Sequence, residues 1–257
     1  MSALALKLIA TLTMTIDHLG HFVPGGTYMR IIGRLAFPIY AFLLANGFAH
    51  TSNRGRYAYR LALFALISQL PFTLMLKSSI IDGSTSLQPL LWEYVHHGSV
   101  ITSLLISFLC LWLLEGCKEK LWSRILSWLV VLGVLALYLS GAIRSDYGPK
   151  CVLMVLCFYY FRQTPGLMVL MASASLCAIL FQDQFLYVLQ GSRGEFPMPD
   201  SWTLKQLFSL LSMIPILLYN GKKGWSPSTQ PWKKLWQLGF YAYYPLHMTV
   251  LFFLFRF

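Results

Sequence analysis

A chain of 257 residues that is 57% hydrophobic and only 11% charged lies outside the range of ordinary soluble domains. Twenty Lys and Arg against nine Asp and Glu give a net charge of +11, and the mean hydropathy of +0.61 places that charge on an integral membrane protein. The expected fold is all-α, a polytopic transmembrane helix bundle of about nine to ten spans forming a single domain over 1–257. No repeat, low-complexity tract or soluble domain interrupts it.

In chain order the apolar stretches predict spans over 4–23, 30–49, 58–76, 99–115, 122–142, 149–161, 166–183, 203–220 and 236–256. The sixth is short and opens at Pro149, and 162–165 is a tight connection, so the sixth and seventh read as tilted or partly re-entrant. The first stretch lacks a small-residue cleavage site, which reads as a retained helix rather than a signal peptide. Cys110, Cys117, Cys151, Cys157 and Cys177 lie in or beside the spans without CxxC spacing and read as small buried hydrophobes. Neither a metal site nor a disulfide framework is expected.

The basic residues set the expected orientation. With the N-terminus in the cytoplasm, Arg54, Arg56, Arg60, Lys118, Lys120, Arg124, Arg162, Lys222, Lys223, Lys233 and Lys234 fall inside. Only Arg30, Lys77, Arg144, Lys150 and Arg193 fall outside, the asymmetry of the positive-inside rule. Asp82, Glu93, Asp146, Asp183, Glu195 and Asp200 also fall outside. The longest outer segments, 77–98 and 184–202, leave room for a lid over an outward pocket. His96 and His97, in the first of them, read as solvated.

Ionisable groups at membrane depth cost about 2.5–3.5 kcal/mol on insertion scales, so they mark functional positions. Span 1 carries Asp17 and His18 side by side. Span 2 carries Arg34 at a similar depth, with Gly33 beside it and Pro38 one turn later, so an Asp17–Arg34 ion pair is expected. Adjacent helical residues point about 100° apart, so Asp17 is poorly placed to steer the His18 ring. His18 is therefore expected to be the reactive group and Asp17 its electrostatic neighbour. His247, two residues after Pro245 in the last span, is a second deep histidine, and the first and last helices are expected to converge on one cavity. His21 reads as interfacial, and Asn46 and Gln69 as interhelical hydrogen bonders.

The stretches KLIATLTMTIDHLGHF, MRIIGRLAFPIYAFLLANGF, RYAYRLALFALISQLPF, DYGPKCVLMVLCFYYFR, LLYNGKKG and FYAYYPLH occur in order, nearly from end to end. Together they resemble the TraX family of bacterial inner-membrane proteins, whose namesake is required for acetylation of a conjugative pilin. The family is similar to wider membrane acyltransferases that draw on cytoplasmic acetyl-CoA and use a histidine on an early helix. The resemblance implies that His18 is catalytic with Asp17, Arg34 of GRLAFP and His247 of YPLH. Tyr244, Asp146 and Tyr147 are expected to bind substrate, and Arg34, Tyr244 or a kinked backbone to stabilise the oxyanion. The inward Arg54, Arg56 and Arg60 suit the phosphates of coenzyme A, because a guanidinium presents a planar, bidentate donor fork. The implied activity is acetyl transfer to an envelope acceptor such as a pilin N-terminus, a sugar or a peptide. The partners are the bilayer and that acceptor, with no nucleic acid and no metal. A proton-coupled transporter and a non-catalytic assembly factor are the rival readings.

Overall fold

The computed structural model describes residues 1–76, 87–191 and 195–256. Lys77, Asp82 and Arg193, used above to orient the bundle, lie outside the described residues. Among the described residues the chain is all-α apart from a two-residue ladder, and it forms two compact units: Met1–Asn46 with Leu153–Gly224, and Gly47–Val152 with Trp225–Phe257.

The first unit begins with α1 (Ala3–Phe22), whose first turn is capped by Ser2 Oγ accepting the Ala5 N–H at 3.2 Å. Helix α2 (Thr27–Gly33) packs on α1 and is followed by α3 (Ala36–His50). The interruption at Arg34–Leu35 has a sequence cause. Pro38 has no N–H to give the Arg34 carbonyl and its ring crowds that carbonyl, so the span opens one turn before the proline. The α1–α2 approach depends on glycine. A Cβ at Gly33 would overlap the Asp17 side chain, and one at Gly20 would lie 2.7 Å from Met29 Cβ.

Helix α8 (Gly148–Tyr160) enters this unit at Leu153, and α9 (Pro165–Leu180) follows with Pro165 in its first turn. Helix α10 (Gln182–Leu189) turns 73° from α9. The stretch expected as the eighth span is a broken helix: α11 (Ser201–Leu207), a 3₁₀ segment Phe208–Ser212 and α12 (Met213–Leu217). Pro215 explains the tightening, since the Leu211 carbonyl loses its α-helical donor. Ser209 and Ser212 hydroxyls donate to the Gln206 and Ser209 carbonyls, each at 2.6 Å. Phe42 sits edge-on to Phe158 and Tyr219, and Asn46 donates to the Tyr219 hydroxyl at 3.1 Å.

The second unit is built on α4 (Arg54–Leu76), which packs against α6 (Val100–Gly116) and against α13 (Gln230–Arg256). It also holds α5 (Leu87–His96) and α7 (Leu121–Leu139). Strands β1 (His97–Gly98) and β2 (Arg144–Ser145) pair in parallel, His97 against Arg144. Gln69, buried on α4, fixes this corner: its amide donates to the carbonyls of Tyr94 at 2.9 Å and His97 at 2.7 Å and accepts the Ser99 N–H at 3.2 Å.

All nine apolar stretches are at least partly helical. By length and composition, five helices among the described residues can cross a membrane: Ala3–Phe22, Thr27–His50, Arg54–Met75, Leu121–Leu139 and Gln230–Phe255. The bent pair α9–α10 raises the number to six, and α6 and α8 are shorter apolar helices. The protein is thus a multi-pass membrane protein.

Candidate functional site

Asp17 lies in the last two turns of α1 and Arg34 caps α2. Their side chains form an ion pair, with Asp17 at 15% and Arg34 at 5% exposure. Arg34 Nε also donates to the Arg30 carbonyl at 3.0 Å, so the guanidinium is tied on two sides. The expected pair is therefore present, and the Pro38 break delivers it, because Arg34 leaves α2 where the helix opens. His18 follows Asp17 directly in the chain.

Two residues that the motif reading passed over complete this neighbourhood. The Arg34 guanidinium lies 4.9 Å from the Trp202 ring centroid, and the Arg30 guanidinium lies 5.0 Å from the same centroid. Arg30 stands four residues before Arg34, one helical turn away, so the spacing R-x-x-x-R in an apolar stretch was a local signal for it. Trp202 lies far along the chain on α11, whose N-cap Asp200 accepts the Thr203 N–H at 2.7 Å. No local pattern ties Trp202 to Arg34.

The remaining expected residues belong to the second unit. His247 is buried at 7% exposure on α13, its Nδ1 donating to the Tyr243 carbonyl at 2.8 Å. That bond fixes Nε2 as the acceptor nitrogen of the neutral ring. Tyr243 stacks on the imidazole at 5.0 Å and Tyr244 meets it edge-on at 5.8 Å. Pro245 shapes this turn, and its carbonyl accepts from Thr249 at 2.8 Å. His18 and His247 thus fall in different units.

The three arginines expected to meet a donor have three environments. Arg54 stacks over Phe48 at 4.3 Å, and Arg56 is exposed beside Asn53, whose side chain accepts the Arg56 N–H at 2.8 Å. Arg60 lies between two rings, 5.3 Å from Tyr57 and 5.9 Å from Tyr241, and its Nε is buried without a hydrogen-bond partner among the described residues. Asp146 and Tyr147 follow β2, the Asp146 N–H donating to the Gly98 carbonyl at 3.1 Å and the Tyr147 N–H to Ser103 Oγ at 3.4 Å. Ser103 continues to Ser145 at 2.8 Å and Ser145 to the Tyr138 hydroxyl at 3.0 Å. The two histidines read as solvated differ: His96 is exposed and stacks on Trp92 at 3.7 Å, while His97 is half-buried with Nδ1 held by Glu93 at 2.7 Å. That partner is one helical turn away, and its spacing was visible in the sequence.

The family profile described as TraX protein matches residues 2–255. The chain belongs to the TraX family. It is similar to "Probable fimbrial assembly protein FimC, serogroup H1" of Dichelobacter nodosus, 28% identical over 258 residues and covering 97% of this chain and 94% of the relative. It also resembles "Uncharacterized protein RP591" of Rickettsia prowazekii (strain Madrid E), 36% identical over 73 residues, 28% of this chain and 27% of that one. No solved structure matches it. The family is associated with pilin assembly and acetylation, which supports a pilus-related membrane function.

Proposed function

We propose that this TraX-family protein is an acetyltransferase of the bacterial cytoplasmic membrane. It takes an acetyl group from cytoplasmic acetyl-CoA and passes it to an envelope acceptor, with a pilus subunit as the acceptor class the family favours. The observation that carries the reading is the buried Asp17–Arg34 ion pair adjoining His18 in a chain that matches the family nearly from end to end. A buried pair costs desolvation that the same volume of apolar side chains would not, and an intramembrane ionisable cluster is retained where it performs a task.

In this reading His18 removes a proton from the acceptor amine or hydroxyl. The acceptor atom then bonds to the thioester carbonyl carbon, the C–S bond breaks, and the departing thiolate takes up a proton. If His18 instead attacks the carbonyl itself, the acetyl group rests on the imidazole before transfer, and the kinetics become ping-pong. Arg34, held by Asp17, supplies fixed positive charge to the oxygen that turns anionic. His247, Tyr244, Asp146 and Tyr147 are positioning candidates for the acceptor.

The donor's phosphates call for guanidinium groups near a helix end. Arg54 and Arg56 occupy the first turn of α4, and Arg60 offers an Nε with no partner among the described residues. These residues fit an anionic donor by their chemistry.

The test uses purified protein in nanodiscs. Saturable acetyl-CoA binding, weakened in an Arg54/Arg56/Arg60 triple alanine variant, is expected by calorimetry. Transfer of labelled acetyl to membrane-associated acceptors should fall about 10²–10⁴-fold in His18→Ala. Full transfer by that variant removes both mechanisms. Absence of donor binding by folded protein places a non-catalytic assembly role ahead of the enzyme.

A further inference from the structure

We infer that Arg30 and Trp202 form a carboxylate-binding subsite next to the Asp17–Arg34 pair, and that it receives an acceptor bearing a carboxylate. The acceptor role rests on the acetyl transfer proposed above; the binding site itself rests on geometry.

Two guanidinium groups lie against one indole ring, at 5.0 and 4.9 Å from its centroid. Their charges repel, so this arrangement is retained only where something offsets the repulsion. Arg34 has its offset in Asp17. Arg30 has none of that kind: among the described residues it makes no ion pair, and its Nε is buried without a hydrogen-bond partner. Its backbone is committed, the N–H to the Gly26 carbonyl and the carbonyl to Arg34 Nε, both at 3.0 Å. The side chain is therefore held in place by helix α2 and an aromatic face while its donor edge is left to a ligand.

The form of the vacant donor edge indicates the ligand. Trp202 covers one face of the Arg30 guanidinium, so a ligand must approach in the guanidinium plane, where a carboxylate makes two parallel N–H···O bonds. A phosphate dianion brings a second charge, and the neighbouring guanidinium that would meet it is already engaged by Asp17. A planar, singly charged group fits better. The position next to the Asp17–Arg34 pair places such a group beside the residues proposed above to serve transfer.

The experiment measures binding, not turnover. Full-length protein in phosphatidylcholine nanodiscs is titrated with sodium acetate at constant ionic strength set by sodium chloride, and tryptophan fluorescence is read. A saturable change is expected in the wild type. It should disappear in Arg30→Gln and lose its signal in Trp202→Phe, and Arg30→Lys should bind roughly tenfold more weakly because an ammonium lacks the fork. Elution volume and melting temperature establish folding; if Arg30→Gln does not fold, the comparison of Arg30→Lys with wild type decides.

An unchanged dissociation constant in the Arg30 variants, or no saturable response in the wild type, overturns the subsite. Inorganic phosphate binding as tightly as acetate overturns the carboxylate assignment. So does loss of the acetate response when phosphatidylglycerol replaces phosphatidylcholine, since a net-anionic lipid headgroup would then be the occupant. Acetate binding in a protein that shows no acetyl transfer would leave the subsite standing and refute only its role as an acceptor site.

Discussion

Arg34 in the first unit and Arg60 in the second show two solutions to one problem, a guanidinium inside an apolar helix bundle. Arg34 is neutralised by a carboxylate from the neighbouring helix, at a helix break that proline creates. Arg60, in the second turn of α4, has no carboxylate partner among the described residues and is held by the rings of Tyr57 and Tyr241 and by a side-chain hydrogen bond to Tyr241. The first solution couples two charges that cannot be removed singly. The second leaves a cation supported by two rings and a neutral hydroxyl, with its Nε unpartnered among the described residues. The same contrast recurs inside the first unit, where Arg34 is paired and Arg30 is only stacked.

The sharpest way to break the comparison is to remove one charge of the buried pair. Asp17→Asn leaves Arg34 in an apolar setting without its counter-charge and should destabilise the protein by about 3–5 kcal/mol, read as a large drop in melting temperature in detergent. Replacing both partners together, Asp17→Leu with Arg34→Met, should restore most of that stability, because the desolvation cost leaves with the charges. Equal destabilisation by the single and double changes would show that the pair's surroundings, and not its charges, set the cost. Activity should be absent from the double variant even though its fold returns, which separates the electrostatic role from the structural one.

Next in size is the close approach that seats the pair. Gly33→Ala places a methyl group where the Asp17 side chain now stands and should cost about 1–3 kcal/mol by overpacking, with a fall in transfer activity. Gly239→Ala on α13 has nothing within 4 Å of the added carbon and serves as the control, with stability unchanged or slightly raised.

The all-α, multi-pass character and the pair were legible in the sequence for the same reason: both are written in local pattern. Runs of apolar residues marked nine helical regions, and depth along two adjacent runs was enough to match Asp17 with Arg34. Pro38, one turn past Arg34, announced the break that seats it. What stayed hidden depended on distant residues. Trp202 reaches Arg30 and Arg34 across most of the chain, and neither periodicity nor spacing carries that information. The eighth stretch looked like one span because its composition is uniformly apolar, while its geometry follows from Pro215 and from serines that bond back along the helix. Gln69 read as a generic hydrogen bonder, and only its three backbone partners reveal that it fixes the corner bearing His97.

A smaller effect tests the aromatic solution. Tyr241→Leu keeps apolar volume on α13 but removes one ring beside Arg60 and its stacking on Phe64 at 5.4 Å. The loss should be about 0.5–2 kcal/mol, smaller than at Asp17, because a cation over a ring is a weaker contact than a buried carboxylate pair. Tyr241→Phe retains the ring but loses the hydroxyl that bonds Arg60 and Tyr57, so it should lose less than Tyr241→Leu. If Tyr241→Leu cost as much as Asp17→Asn, Arg60 would be as dependent on its partner as Arg34 is, and the contrast between the two units would collapse.

The smallest expected effect sets the baseline for all of these. Lys118 pairs at 3.3 Å with Glu115 in the last turn of α6, the lysine at 58% and the glutamate at 11% exposure. A pair whose cation stands in solvent gains little Coulomb energy, is screened by salt and loses side-chain freedom on forming, so Lys118→Ala should change stability by less than about 1 kcal/mol in unfolding measurements. Both this contact and Asp17–Arg34 join one cation to one largely covered carboxylate; burial of the cation is what separates them. A negligible change at Lys118 beside a large one at Asp17 would therefore assign the cost in the first unit to desolvated charge. A comparable loss at Lys118 would mean that the solvent side of the molecule is far less screened than its exposure implies, and the ranking of every charged contact here would have to be rebuilt.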